Sequence, residues 1–122
     1  MGAVLREIII DCTDPMLVAD FWSKVLGWKV QEAQGGALWM SESGAPFPDL
    51  LLVFDAVPEK KSVKNRIHLD VSPIGCDRDE EVERLIGFGA TRVDIGQGEQ
   101  PWVVLADPEG NEFCVLGRRV DA

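Results

Sequence analysis

Glu7-Ile8-Ile9-Ile10-Asp11-Cys12-Thr13-Asp14-Pro15 is the stretch that decides the fold. Its isoleucines suit a pleated, half-buried strand, so residues 5–12 are predicted to be extended. Asp14 then offers a carboxylate to the free N–H groups of a first helical turn, and Pro15 fits the next position, where no N–H bond is lost. Leu17, Val18, Phe21, Trp22, Val25 and Leu26 follow at helical spacing and form one broad apolar stripe. Gly27 is a natural stop. The reading is a strand followed by a helix over 15–26, its stripe pressed on a sheet.

Working outward, strands are predicted at 28–33, 37–41 and 50–54. Gly35-Gly36 makes a tight turn between the first two, and Gly44 to Pro48 marks a longer loop before the third. After a linker over 57–65 the pattern returns. Residues 66–72 read as a strand, 77–86 as a helix stopped by Gly87 and Gly89, and 90–95, 102–106 and 112–116 as strands. The turn Asp107-Pro108-Glu109-Gly110-Asn111 joins the last two. Asp11 and Asp70 are 59 residues apart, and Gly27 and Gly89 are 62 apart. A repeat of half the chain is therefore expected, with one module at about 4–56 and the other at about 65–118 of a single domain spanning 1–122.

The size and charge exclude several roles. A chain of 122 residues suits one domain and buries roughly two thirds of its unfolded surface without needing disulfides or metal. A net charge of −9 repels nucleic-acid phosphates and anionic membrane surfaces. The basic run Lys60, Lys61, Lys64 and Arg66 reads as a solvated loop. Cys12, Cys76 and Cys114 do not form a disulfide framework. No secretory leader or membrane helix is read, so a cytoplasmic protein is expected. Gly96-Gln97-Gly98 lies between strands, and no phosphate-binding loop is expected.

Three segments, in this order and spacing, resemble the vicinal oxygen chelate superfamily of glyoxalases, bleomycin-resistance proteins and extradiol dioxygenases. They are Ile8 to Pro15 leading into Phe21-Trp22 and Val25-Leu26-Gly27-Trp28, then Arg66-Ile67-His68-Leu69-Asp70-Val71, then Asp107-Pro108-Glu109-Gly110-Asn111-Glu112-Phe113. The resemblance implies an α+β fold of two tandem βαβββ modules, whose strands form one eight-stranded curved sheet, a cup, with the helices outside. It also implies a homodimer. Four inward positions follow from it: Glu7, where the family often has His; Leu52 or Val53, neither able to bind a metal; His68, a match; and Cys114, where the family places Glu.

Strand alternation bears on the same residues independently, since side chains two apart share a face. Glu7, Ile9 and Asp11 oppose Ile8, Ile10 and Cys12. Arg66, His68 and Asp70 oppose Ile67, Leu69 and Val71. Glu112, Cys114 and Leu116 oppose Phe113 and Val115. The apolar faces are expected to meet the helices, leaving Glu7, Asp11, His68, Asp70 and Cys114 to line a ligand site.

The single His rules out an iron site of two His and one carboxylate within one chain. No metal or other cofactor is expected; the alternative is a divalent ion such as zinc on Glu7, His68 and Cys114. His68 and Glu7 are the candidate catalytic groups, with Asp70 placed to orient His68; the alternative is a structural His tied to a carboxylate. Asp11, Asp70, Trp39, Trp102 and Cys114 are candidate ligand contacts. Trp39 and Trp102 occupy similar places in the two repeats, where indole offers a stacking surface or simply packs the sheet. Cys114 is a nucleophile only if a neighbour lowers its pKa, and otherwise a small buried hydrophobe. The loop 42–49, with Phe47 between prolines, reads as a rim or an inert connection. The function expected is binding of a small organic ligand. The alternatives are a lyase, isomerase or dioxygenase-type enzyme using Glu7 and His68, and an interaction module with no ligand.

Overall fold

A computed structural model describes residues 1–46 and 48–122. The chain divides into two compact units, Met1–Lys60 and Lys61–Ala122. Each is a four-stranded mixed sheet with one helix, so the fold is α+β.

In the first unit β1 (Glu7–Cys12) leads into α1 (Pro15–Leu26), followed by β2 (Gln31–Glu32), β3 (Leu38–Met40) and β4 (Leu51–Ala56). The helix begins where the caps place it. Asp14 Oδ1 accepts the N–H of Leu17 at 3.2 Å, and Gly27 ends the helix at φ 72°, a left-handed conformation that glycine adopts without steric cost. Strand order is β1-β4-β3-β2, with β1 and β4 parallel and the other pairs antiparallel. Val18, Phe21, Trp22 and Val25 bury the helix stripe, and Trp22 meets Phe21 edge-on at 5.5 Å. Leu17, expected in the stripe, is exposed; its first-turn position lies on the flank of the Val18–Trp22 face. Cys12, Leu38, Met40, Leu52 and Phe54 complete the core.

The second unit repeats the order: β5 (Leu69–Val71), α2 (Arg78–Gly87), β6 (Thr91–Arg92), β7 (Val103–Ala106) and β8 (Glu112–Val115), with sheet order β5-β8-β7-β6. Asp77 caps α2 by accepting the N–H of Glu80 at 2.9 Å. Val82 and Leu85 of α2, and Leu105, Phe113 and Val115 of the sheet, are all fully buried.

Strand 66–72 is shorter than predicted. The ladder starts at Leu69, and Ile67, expected on the helix face, is 80% exposed. The reason is a tie to the start of β8. Glu112 Oε1 accepts the Asn65 N–H at 2.9 Å, and Asn65 Nδ2 donates to Asn111 Oδ1 at 2.9 Å, so side chains hold the entering chain where a ladder would begin. Lys61 belongs to the same tie, its ammonium 2.7 Å from Glu112 Oε2. It is therefore paired and largely buried, unlike the solvated loop residue read from the sequence. The strands at 28–33 and 90–95 likewise contract to two residues each. They end their sheets and have a neighbour on one side.

The turn before β8 is satisfied from within. Asp107 is buried; its Oδ1 accepts the N–H groups of Glu109 and Asn111 at 2.9 and 3.0 Å, and its Oδ2 accepts Asn111 Nδ2 at 2.9 Å. Gly110 takes φ 91° to close it. Among the described residues, no buried side-chain nitrogen or oxygen lacks a hydrogen-bond partner, and no helix is long and apolar enough to cross a membrane.

Candidate functional site

Register partners across a sheet share a face. In the second unit Asp70 pairs with Cys114, and Cys114 pairs in turn with Val104. On the opposite face Leu69 pairs with Phe113, and Phe113 with Leu105, which is the face the helix covers. The period-2 reading therefore assigned these residues to the correct sides. His68 stands just before β5 and within reach of the row. Ligand atoms of His68, Asp70 and Cys114 all lie within 4.8 Å of one another.

His68 Nδ1 is 3.2 Å from Asp70 Oδ1, and both side chains are partly exposed, at 42% and 44%. A carboxylate at Nδ1 orients the imidazole and leaves Nε2 to face a ligand. Cys114 is buried. Burial, then the negative charge of Asp70 and the hydrogen bond to that carboxylate, push its thiol up to about 11, against a smaller opposing pull from Lys64. A thiol that titrates so high is a thiolate in only about one molecule in ten thousand at pH 7. The nucleophile reading needed a neighbour that lowers the pKa, and the neighbour present raises it.

Trp102 immediately precedes β7. It stands 38% exposed. With Val93, Asp94, Gln97, Gln100 and Val104 it helps line an open groove of about 700 Å³. Arg78 and Arg92 line the groove too, and so does Glu99; Arg78 donates to the Gln100 and Pro101 carbonyls and to Asp79, and Arg92 donates to Glu83.

In the first unit Glu7 pairs with Leu51, Ile9 with Val53 and Asp11 with Asp55, all on the face turned from the helix. Trp39 pairs with Val53 on that same face. Glu7 and Asp11 are exposed and Trp39 is half-buried. The open choice between Leu52 and Val53 is settled by register: Leu52 faces the core, and Val53 shares the face of Glu7. Asp55 was missed by the sequence reading. It stands beside Asp11 as Cys114 stands beside Asp70, and it lies 59 residues before Cys114, the offset of the repeat; continuing that offset along β4 would have found it. Phe47 lies outside the described residues.

The four positions that the resemblance assigns to metal binding do not suit a hard ion. Val53 offers no donor, and Cys114 offers sulfur where a carboxylate is implied. Manganese or magnesium prefers oxygen ligands.

Comparison with known proteins adds to this geometry. The sequence pattern of the Glyoxalase-like domain matches residues 7–116. No curated protein matches the chain. A glyoxalase/bleomycin resistance protein/dioxygenase family enzyme from Burkholderia phytofirmans PsJN is similar over 93% of this chain and 97% of its own, at 20% identity and a TM-score of 0.66. A mutant of the fosfomycin resistance protein FosX from Listeria monocytogenes, in complex with Mn(II) and 1S,2S-dihydroxypropylphosphonic acid, is similar over 96% of this chain and 91% of its own, at 16% identity and a TM-score of 0.69. The oxidase ChaP-H2 is similar over 98% and 97%, at 16% identity and a TM-score of 0.59. At these identities the likeness is one of fold.

Proposed function

Because this chain belongs to the glyoxalase-like domain family, we propose that it binds a small organic molecule on the polar face of its second sheet. His68 and Asp70 are its polar anchors and Trp102 its stacking surface. The observation that carries this reading is the row His68, Asp70, Cys114 and Val104, continued into the groove at Trp102. Trp102, Val93, Val103 and Val104 give the groove an apolar wall, and Asp94, Gln97 and Gln100 give it polar groups that could orient a ligand.

Charge narrows the ligand class. Asp70 makes the face beside Cys114 acidic, and in the groove the carboxylates of Asp94 and Glu99 stand with Arg78 and Arg92, which pair with Asp79 and Glu83. A cationic or hydrogen-bond-donating aromatic molecule suits such a surface. A phosphonate like the one bound by the FosX relative does not, since it would lie beside Asp70 without the hard cation that offsets its charge. The first-unit residues Glu7, Asp11 and Trp39 belong to the proposal as further ligand contacts on their own sheet.

Cytoplasmic residence and a homodimeric state belong to the same reading. Three free cysteines support the first. Terminal strands β1 and β5, each paired on one side among the described residues, support the second.

The test is a tryptophan-fluorescence titration with a panel of cationic, neutral and anionic aromatic compounds. A saturable change that disappears in Trp102→Phe and weakens at least tenfold in Asp70→Asn is expected. A panel with no response, or a response confined to anions, would overturn the reading. A second reading, an enzyme moving a proton through His68, is favoured by the His68–Asp70 contact. Its mark would be turnover abolished in His68→Ala with folding intact.

A further inference from the structure

We infer that Arg78 is a positioning residue: from the start of α2 its guanidinium holds the main chain of Gln100 and Pro101, and so sets where Trp102 stands in the groove. The inference rests on the proposed function only for the role of Trp102 as stacking surface; the hold itself is a property of the chain without ligand.

The stretch between β6 and β7 needs such a hold. β6 ends at Arg92 and β7 begins at Val103, so residues 94–102 stand outside the ladder. The hydrogen bonds within the stretch are local and made by side chains. Asp94 accepts the Gly96 N–H, Gln97 accepts the Ile95 N–H, and Gln100 donates to the Gln97 carbonyl. Gly96 and Gly98 both sit at positive φ, where other residues are rare. Pro101 has no N–H to donate. Among the described residues, the hydrogen bonds that tie this stretch to another element come from Arg78.

A guanidinium suits the task. Nη1 donates to the Gln100 carbonyl at 3.3 Å and to the Pro101 carbonyl at 2.9 Å. Nε and Nη2 both donate to Asp79 Oδ1, at 3.0 and 2.9 Å. The carboxylate thus fixes the plane of the fork and aims Nη1 at the carbonyls. The Arg78 side chain is 31% exposed and that of Asp79 79%. A pair with one partner so open to water adds little stability, so its effect is on geometry. Gly117 confines the same carbonyl: a Cβ there would stand 2.9 Å from the Pro101 oxygen, and glycine permits the close approach. Trp102 is the next residue along the chain. An indole held in place before a ligand arrives spends less of the binding energy on being ordered.

The hold is tested by fluorine NMR of the full-length chain, with 5-fluorotryptophan at its four Trp positions and no ligand present. The Trp102 line is the one missing from Trp102→Phe. In Arg78→Ala it should narrow and move toward the position of free 5-fluorotryptophan, while the lines of Trp22, Trp28 and Trp39 stay in place. Arg78→Lys, a milder change that keeps the charge and loses the planar fork, should move it in the same direction by less. Amide signals of Leu85, Leu105 and Phe113, in the core of the same unit, report whether each variant is folded. For any compound that responds in the titration above, calorimetry adds a second reading. Arg78→Ala should weaken its binding about fivefold in the parent and leave it unchanged in a Trp102→Phe background, because a residue that acts through Trp102 has nothing left to position there. An unmoved Trp102 line in a folded Arg78 variant would overturn the inference, as would an equal loss of affinity in both backgrounds. If no compound binds, the proposed function fails and the fluorine spectra still decide the role of Arg78.

Discussion

Replacing Glu112 by alanine should destabilise the second unit by about 2–3 kcal/mol. The carboxylate makes two contacts that no other group replaces. Oε2 accepts from Lys61 Nζ at 2.7 Å and Oε1 from the Asn65 backbone at 2.9 Å. The Lys61 and Glu112 side chains are only 19% and 10% exposed. A hydrogen bond to a charged group is worth about 1.5–3 kcal/mol, and breaking a fully buried pair costs about 3–5 kcal/mol. Lys61 carries a long stem and can swing its freed ammonium to water, which holds the cost below that upper range. Glu112→Gln keeps an acceptor for Asn65 and should cost about half as much, near 1–1.5 kcal/mol. At about 4 °C per kcal/mol for a chain of this size, the alanine variant should melt roughly 10 °C lower.

The pH dependence has a definite sign. Burial alone would raise the Glu112 carboxyl, but the Lys61 and Asn65 hydrogen bonds outweigh it and hold the group below its ordinary value. The unfolded chain therefore takes up this proton at a higher pH than the folded one. The contribution is complete well above the unfolded value of about 4.3 and is lost as pH falls through the folded value. Urea melts of parent and Glu112→Gln should show a steady gap between pH 6 and 7 that narrows below about pH 4. A Lys61→Met/Glu112→Gln cycle should return a coupling near 1 kcal/mol. A cost under about 0.5 kcal/mol for the alanine variant, or a gap that stays constant into acid, would refute the assignment of this carboxylate as the tie between linker and sheet.

Cys114 should resist iodoacetamide in chelated buffer at pH 7–8, its rate rising until the thiol titrates near pH 11. Asp70→Asn should shift that profile to lower pH, and peptide-resolved mass spectrometry would show it; fast labelling of the parent at pH 7 would contradict the burial and charge argument. Asp107→Ala should cost about 2–4 kcal/mol by urea unfolding, because it orphans the N–H groups of Glu109 and Asn111 inside a buried turn. Gly117→Ala should cost about 1–3 kcal/mol by thermal melt, since the added Cβ would stand 2.9 Å from the Pro101 carbonyl oxygen; an unchanged melting temperature would show that the 101 segment yields freely.

Much of the fold could be read because its signals are local. Asp14, Pro15 and Gly27 bracket α1 at the residues observed, since caps act within one turn. Alternation along β1 and β8 sorted the faces, since side-chain direction depends only on the strand's own period. The same logic failed at Ile67, where apolar character promised burial. There the tie of Glu112 to Asn65 starts the ladder two residues later. It failed also at Lys61, whose partner lies at the far end of its unit's sequence.

The candidate site was legible as a set of residue types and not as an arrangement. His68, Asp70, Cys114 and Trp102 were named from their strand positions. That Asp70 and Cys114 stand side by side, and that Asp55 stands by Asp11, follows from parallel pairing of β5 with β8 and of β1 with β4. Those strands are distant in the chain, and a one-residue slip would have sent each side chain to the other face.

The repeat, both ends of α1, the start of α2, the faces of the strands and the donors available were legible along the chain, because each rests on the steric and hydrogen-bonding preferences of neighbouring residues; the end of α2 was not, since Gly87 lies within it and Phe88 caps it. Only the tertiary structure decided which donors meet and how a thiol beside Asp70 titrates. Register is a long-range choice of backbone partners, and a pKa answers to the charges and burial that this choice brings.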